Sequence, residues 1–230
     1  MTKHTKGWTQ SALPFLAVFA AAVLFSVFLA LFLGQDQNYD QGNYHIYDAF
    51  AFLRDAAQND VLAAGILTFQ NPLIYVPPFL LIDTFSPIVA SALIAGFQAL
   101  NIALAFLIGR SLLVTKSAGA RYLADILAVF GAVMAAAGPM FLSEIGTTFA
   151  DASTSILCLL GLLLLLRAGH ARSGANPIGW LPLLLGGLFV GAATGLKLTN
   201  ATFAVALPIA ALFGWQRFAD RVKAAILVGF

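Results

Sequence analysis

Cysteine is nearly absent. The one thiol, Cys158, lies inside an apolar run, so the chain can form no internal disulfide and no cysteine-based metal site. Charge is scarce too: 10% of the 230 residues are Asp, Glu, Lys or Arg, against roughly 25% in a soluble domain. There are only three histidines. No P-loop, GxGxxG, HExxH or CxxC pattern occurs, which removes the usual phosphate cradles, dinucleotide folds and zinc sites. No nucleic-acid partner is expected. Asn200-Ala201-Thr202 fits a glycosylation sequon, but it sits at a membrane edge and is discounted.

What fills the chain is apolar surface. Hydrophobic residues make up 60% and the mean hydropathy is +0.90. A soluble globule of this size could not bury that much, so the solvent is a bilayer. The expected fold is all-α, a polytopic transmembrane bundle of about six to seven spans. They are read at Ala12–Leu33, Pro87–Leu113, Tyr122–Met140, Thr148–Leu166, Gly179–Leu196 and Ala201–Trp215, with Ala224–Phe230 as the start of a seventh. That last run makes the chain read as a fragment, or the N-terminal module of a longer protein. The first run is too long for a signal-peptide core and is read as a retained span, with Trp8 as interfacial anchor.

Between the first and second spans lies a polar loop, 34–83. Its opening, Gly34 to Asp60, holds five of the ten acids (Asp36, Asp40, Asp48, Asp55, Asp60) and His45. From Gly42 to Ala57 the pattern is helical: Ile46, Phe50, Leu53 and Ala57 form an apolar stripe, with Asp48 and Asp55 opposite and Tyr44 and Ala51 nearby. This predicts a helix lying in the interface plane, with Asp55 and Asp60 on its wet face. Asn71-Pro72 and Pro77-Pro78 interrupt the following apolar segment, which reads as a second interfacial helix or a re-entrant turn.

With the N-terminus cytoplasmic, ten of the twelve basic residues fall inside: Lys3, Lys6, Arg110, Lys116, Arg121, Arg167, Arg172, Arg217, Arg221 and Lys223. Arg54 and Lys197 fall outside. Eight acids are outside as well, leaving Asp125 and Asp220 within. The outer face therefore reads as an acidic site.

Three outer stretches hold groups fit for chemistry. Asp36 and Asp40 follow the first span, where a carboxylate can take a proton from a hydroxyl or help bind a divalent metal. Asp40 also suits a helix N-cap, and Asp36 a solvated loop. Tyr44, His45, Tyr47 and Asp48 open the interfacial helix. His45 and Asp48, three apart, share a face and could orient a phosphate or a sugar hydroxyl, or form a plain surface contact. The second stretch, Ser143 to Asp151, carries Glu144, Thr147 and Thr148; acids at membrane ends are costly unless paired or wet, and Asp151 also suits a helix first turn. The third, Gly195 to Asn200, holds Lys197, a cation placed to pair with a lipid phosphate or to snorkel to headgroups. The glycines and alanines from Gly186 to Gly195 favour close helix packing.

One span, then an acidic outer loop with interfacial helices, then many spans: this order resembles the GT-C class of membrane glycosyltransferases. DQNYDQGNYHIYDAFAFL and TFQNPLIYVPPFLL look like segments of a bacterial group within that class, and SEIGTTFADA and GLKLTN like its later outer loops. The resemblance implies inverting transfer of a sugar from a polyprenyl-phosphate donor to a lipid, glycan or protein acceptor. It makes Asp40 the base, with Asp36 second. Tyr44, His45, Asp48, Glu144 and Asp151 would assist binding, and Lys197 would meet the donor phosphate. No cofactor is required by the sequence. A divalent ion, Mg or Mn, is permitted, but no ligand spacing demands one. The competing expectations are a secondary transporter using membrane-edge acids such as Asp83, Glu144 and Asp151, and a non-catalytic membrane assembly subunit.

Overall fold

The computed structural model describes residues 12–56, 63–113, 117–171, 180–213 and 218–229. Trp8, Ala57, Asp60, Lys3, Lys6, Lys116, Arg172, Arg217 and the ends of the runs at Trp215 and Phe230 lie outside them. Among the described residues every regular element is helical.

Helix α1 is Ala12–Leu33. It is apolar all round, and most of its large side chains, Leu13, Leu24, Phe28 and Phe32 among them, are exposed, as a lipid-facing span requires. A π-helical turn, Gln41–His45, then runs straight into α2, Ile46–Leu53. Two short 3-10 turns, Gly65–Phe69 and Pro72–Ile74, lead to α3, Val76–Thr84. Here the prolines start elements: Pro72 and Pro77 stand in first turns, where a missing N–H costs least.

The pair α4, Pro87–Gln98, and α5, Leu100–Leu112, makes one apolar passage. It is followed by α6, Ala118–Ala136, a short α7, Pro139–Glu144, and α8, Ala150–Ala171. The last elements are α9, Trp180–Leu196, a 3-10 turn Leu198–Asn200, α10, Ala201–Phe213, and α11, Phe218–Gly229.

The expectation of six to seven spans is corrected to four. Among the described residues, four helices are long and apolar enough to cross a bilayer: Ala12–Leu33, Pro87–Leu112, Gly119–Ala136 and Ala150–Gly169. The runs read as the fifth and sixth spans contain described helices of 17 and 13 residues, which are apolar but below the length of the other four.

Two cores hold the bundle. One joins α1, the α4–α5 passage and α6 through Ala22, Ala99, Ile102, Phe106, Ala128, Ala132 and Ala136. The other joins α8 to α11 through residues such as Leu165, Leu183, Val190, Leu207 and Val228. Small residues set the spacing, as in membrane helices generally. A Cβ on Gly161 would stand 2.5 Å from Val190 Cγ2, and one on Gly187 2.6 Å from the Val228 carbonyl oxygen.

The helix expected at Gly42–Ala57 is described as far as Leu53, and its burial differs from a wet interfacial helix. Phe50 and Leu53 of the apolar stripe are exposed, while Tyr44, His45, Asp48, Ala49 and Ala51 are buried. Tyr44 and Ala49 are turned into the protein, against Tyr75 and Ala150, while Asp55, expected on the wet face, is exposed.

Candidate functional site

The first loop is held by its own amides. Asn38 Oδ1 accepts the Gln41 N–H at 2.7 Å, which caps the helix three residues on. Asp40 is not the cap. It already has helical angles, φ −67° and ψ −35°, and makes no capping bond. Asp36 accepts from the Asn38 backbone N–H through Oδ1 at 3.1 Å, and from the Asn38 side-chain amide.

The second loop reaches the same place. Asp36 Oδ2 accepts the Thr148 backbone N–H at 2.8 Å and the Thr148 hydroxyl at 3.1 Å. His45 Nδ1 lies 2.8 Å from Thr148 Oγ1. Residues 112 and 103 positions apart in sequence thus share one hydroxyl. His45 and Asp48, read as neighbours on one face, do not pair: the imidazole goes to Thr148.

The spans supply polar groups that hold this loop. Gln98 Oε1 accepts the Gly146 N–H at 2.8 Å, and Asn101 Nδ2 donates to the Gln98 and Ala152 carbonyls at 3.0 and 2.6 Å. Glu144, buried, accepts the Ala152 N–H at 3.0 Å and so caps the start of α8. Gly146 has φ +73°, and a Cβ there would lie 2.6 Å from Ala30 Cβ of α1. Irregular backbone at a membrane end survives because side chains satisfy it.

The third loop joins through charge. Lys197 Nζ pairs with Asp151 Oδ2, both side chains largely covered. Asn71 Nδ2 donates to the Gly195 carbonyl at 2.7 Å, and Asn200 Nδ2 donates to Thr154 Oγ1 at 2.9 Å. Asp36, Asp40, Tyr44, His45, Glu144, Asp151 and Lys197 therefore all stand at one end of the bundle. Asp55 has a left-handed backbone, φ 50°, and Asp83 is exposed, so neither is drawn in.

The electrostatics follow from burial. His45, 2% exposed, is stacked on Tyr75 with centroids 4.3 Å apart, and Tyr44 and Phe149 meet its ring edge-on. Burial lowers its pKa to about 4, against the pull of Asp40, Asp36 and Asp151 and with the help of Lys197. Asp48, 4% exposed, has both carboxylate oxygens without a hydrogen-bond partner. Burial raises it to about 6. Tyr44 is pushed up by burial first and then by Asp40, Tyr75 upward by burial, and Glu144 upward by burial and then by Asp151.

A cavity of about 20 Å³ opens beside Asp36, lined by polar Gln41, Ser91 and Thr148 and by apolar Ile82, Pro87 and Ile94. That volume takes about one water. Among the described residues no three His, Cys, Asp or Glu side chains gather into a metal-binding set.

Three site residues were not singled out from the sequence: Tyr75, Gln98 and Asn101. Gln98 and Asn101 carried a local signal, being amides inside an apolar span, where an unpaired polar group is expensive. Thr148 was named only as a member of its polar loop, with no partner expected for it.

The fold and the site together define an integral, multi-pass membrane protein with a polar, acid-rich centre at one end of its bundle. No family model, curated protein or solved structure matches the chain.

Proposed function

We propose that this end of the bundle faces the periplasm or cell exterior, with the N-terminus cytoplasmic, and transfers a sugar from a polyprenyl-phosphate donor to an acceptor hydroxyl. The observation that supports this most is the convergence of three loops on one polar centre at a membrane end. A carboxylate, a neutral imidazole and a cation stand there beside an apolar, lipid-facing helix surface. The donor's chain would remain in lipid along Phe50 and Leu53. Its phosphate would be drawn to Lys197, whose charge offsets that of the departing phosphate.

The resident carboxylates are not equally available as base. Asp36 accepts bonds from Asn38 and Thr148 on both oxygens, Glu144 caps α8, and Asp151 holds Lys197. Asp40, half-buried and engaged among the described residues only by the Tyr44 hydroxyl one turn on, holds no loop in place and is the carboxylate this reading uses. The acceptor oxygen attacks the anomeric carbon, the bond from that carbon to the phosphate oxygen breaks with its electron pair leaving on phosphate, and the proton passes to Asp40. The test is transfer from labelled polyprenyl-phosphate sugars by membranes carrying the protein. Asp40→Asn should lower transfer at least 100-fold at equal protein level; near-normal transfer overturns the role of Asp40. Running the assay with and without chelator also reads the requirement for Mg or Mn.

Asp48 favours a second reading, proton-coupled transport. A buried carboxylate with both oxygens unpaired is what a proton carrier in a membrane protein looks like. Proton-driven uptake in proteoliposomes, lost in Asp48→Asn, would replace the transferase reading.

A further inference from the structure

The cavity beside Asp36 has polar walls that the surrounding protein leaves unsatisfied. Pro87, Ala90, Ser91 and Ile94 all line it, and their spacing is that of one helix face, so α4 turns this face to the cavity. Ser91 is the polar member of the stripe. It is 7% exposed, and no described residue takes its hydroxyl. Gln35 and Gln41 line the same cavity, and their side-chain amides have no partner among the described residues either. The bond from Gln41 to Asn38 is made by its backbone N–H. A buried hydroxyl is costly in an apolar helix unless something bonds to it. The cavity, about 20 Å³, accommodates one water.

Asp36 does not make this a cation site. Its Oδ1 accepts from both Asn38 amides, and its Oδ2 accepts from the Thr148 backbone N–H and hydroxyl. Those four bonds use the lone pairs that a metal would need. What remains is a hydroxyl and two amides, which offer donors and acceptors together. A group that both donates and accepts satisfies them, and at this size that group is water.

We propose that the cavity binds one water, which joins Ser91 of α4 to Gln41 at the start of the π-helical turn and so holds the turn that carries Tyr44 and His45. Gln35 and Pro87 are exposed, so the site opens to solvent at its rim. Ile82, Pro87 and Ile94 close the apolar side and keep the site to a single molecule. Ser91 is a positioning residue that acts through the water. The inference is independent of the reaction the protein carries out.

The test compares two buried serines in the full chain in lipid nanodiscs. Ser26 of α1 is fully buried, its Oγ has no partner, and it does not line the cavity. Ser26→Ala removes an unsatisfied hydroxyl and should leave the unfolding temperature unchanged or raise it. Ser91→Ala removes a water-bonded one and should lower it by about 2–4 °C, the effect of one hydrogen bond in a chain of this length. Amide hydrogen exchange at residues 41–45 should quicken about fivefold in Ser91→Ala, as expected for losing one hydrogen bond, and stay as it is in Ser26→Ala. Gln41→Ala should quicken it too, and adding Ser91→Ala to Gln41→Ala should cause no further loss of stability, because the water is already released. Crystals grown from a lipid mesophase should show one water within hydrogen-bond distance of Ser91 Oγ and the Gln41 side chain. A Ser91→Ala protein as stable as wild type or more so, unchanged exchange at 41–45, or additive losses in the double variant each overturn the proposal. An anomalous signal in the cavity after soaking with thallium or rubidium would make it a cation site and overturn it as well.

Discussion

Asp36 and Thr148 are joined twice: one carboxylate oxygen accepts both the backbone N–H and the hydroxyl of Thr148, across 112 residues of sequence. The pair ties the first loop to the second at the membrane end, and it separates an anchoring carboxylate from a working one. Asp36→Asn replaces charge-assisted bonds with weaker ones and sets an amide N–H₂ against existing donors. A loss of about 3 kcal/mol is expected. Asp40→Asn should change stability by about 1 kcal/mol or less, since Asp40 caps nothing and an amide oxygen can still accept from the Tyr44 hydroxyl. Thermal unfolding of both variants in detergent checks this; equal losses would remove the distinction.

His45 and Asp48 make opposite demands on pH. The folded pKa of His45 is lowered to about 4, so the unfolded chain binds its proton first, and stability from this group is lost as pH falls from 6.5 towards 4. The folded pKa of Asp48 is raised to about 6, so the folded chain binds its proton first, and stability from this group is lost as pH rises from 3.8 through 6. Each effect is about 3 kcal/mol at most, and between about pH 4 and 6 they oppose each other. Wild-type unfolding temperature should be nearly flat in that window. Asp48→Asn should leave only the histidine slope, with stability increasing from pH 4 to 6.5, and should be more stable than wild type at pH 7. His45→Gln should show the opposite slope. Parallel profiles for the two variants would contradict the pairing of effects.

Gly146 is where the second loop meets α1. Its φ is +73°, and a Cβ would stand 2.6 Å from Ala30 Cβ and 3.2 Å from the Ser91 carbonyl oxygen. Gly146→Ala should therefore cost about 2–3 kcal/mol and shift the Thr148 backbone away from Asp36. Gly191 lies inside α9 with nothing within 4 Å of its Cβ position. Gly191→Ala should be neutral or stabilise by up to about 1 kcal/mol. Unfolding temperatures of the two variants, measured together, check the contrast.

Lys197 and Asp151 form a pair that is largely covered, with side chains 21% and 29% exposed. Lys197→Ala leaves the acid without its cation, at a cost of about 1–2 kcal/mol once partial solvent screening is allowed for. Removing both, in Lys197→Ala with Asp151→Asn, should restore part of that loss. Transfer should not return in the double variant, because the charge that meets the donor phosphate is still missing. A double variant with restored transfer would take Lys197 out of the donor site.

Much of the class was legible in the sequence, and so was the clustering of acids in loops that alternate with apolar runs. Span number was not. The runs at 179–196 and 201–215 are as apolar as a span, but their described helices are 17 and 13 residues long, below the length of the four counted as spans. The cap was missed for a similar reason: Asp40 and Asn38 are both good capping types, and only the backbone path selects Asn38. The helix after it was read correctly in period, and Asp55, read as part of its wet face, is exposed. What the pattern did not show is that Tyr44, His45 and Asp48 are covered, with Tyr75 and Ala150 from distant segments packed there.

By composition and periodicity alone the sequence determined a helical membrane protein with a polar first loop. Hydropathy is local and additive, so summing residues along a run is enough to find it. The site itself was decided by tertiary structure. That Thr148 joins Asp36 to His45, that Asp151 takes Lys197, and that Asp48 is buried without a partner depend on residues far apart in the chain meeting at one end of the bundle. A hydrogen bond needs atoms within about 3 Å at a suitable angle, and no property of one segment fixes where another segment will stand.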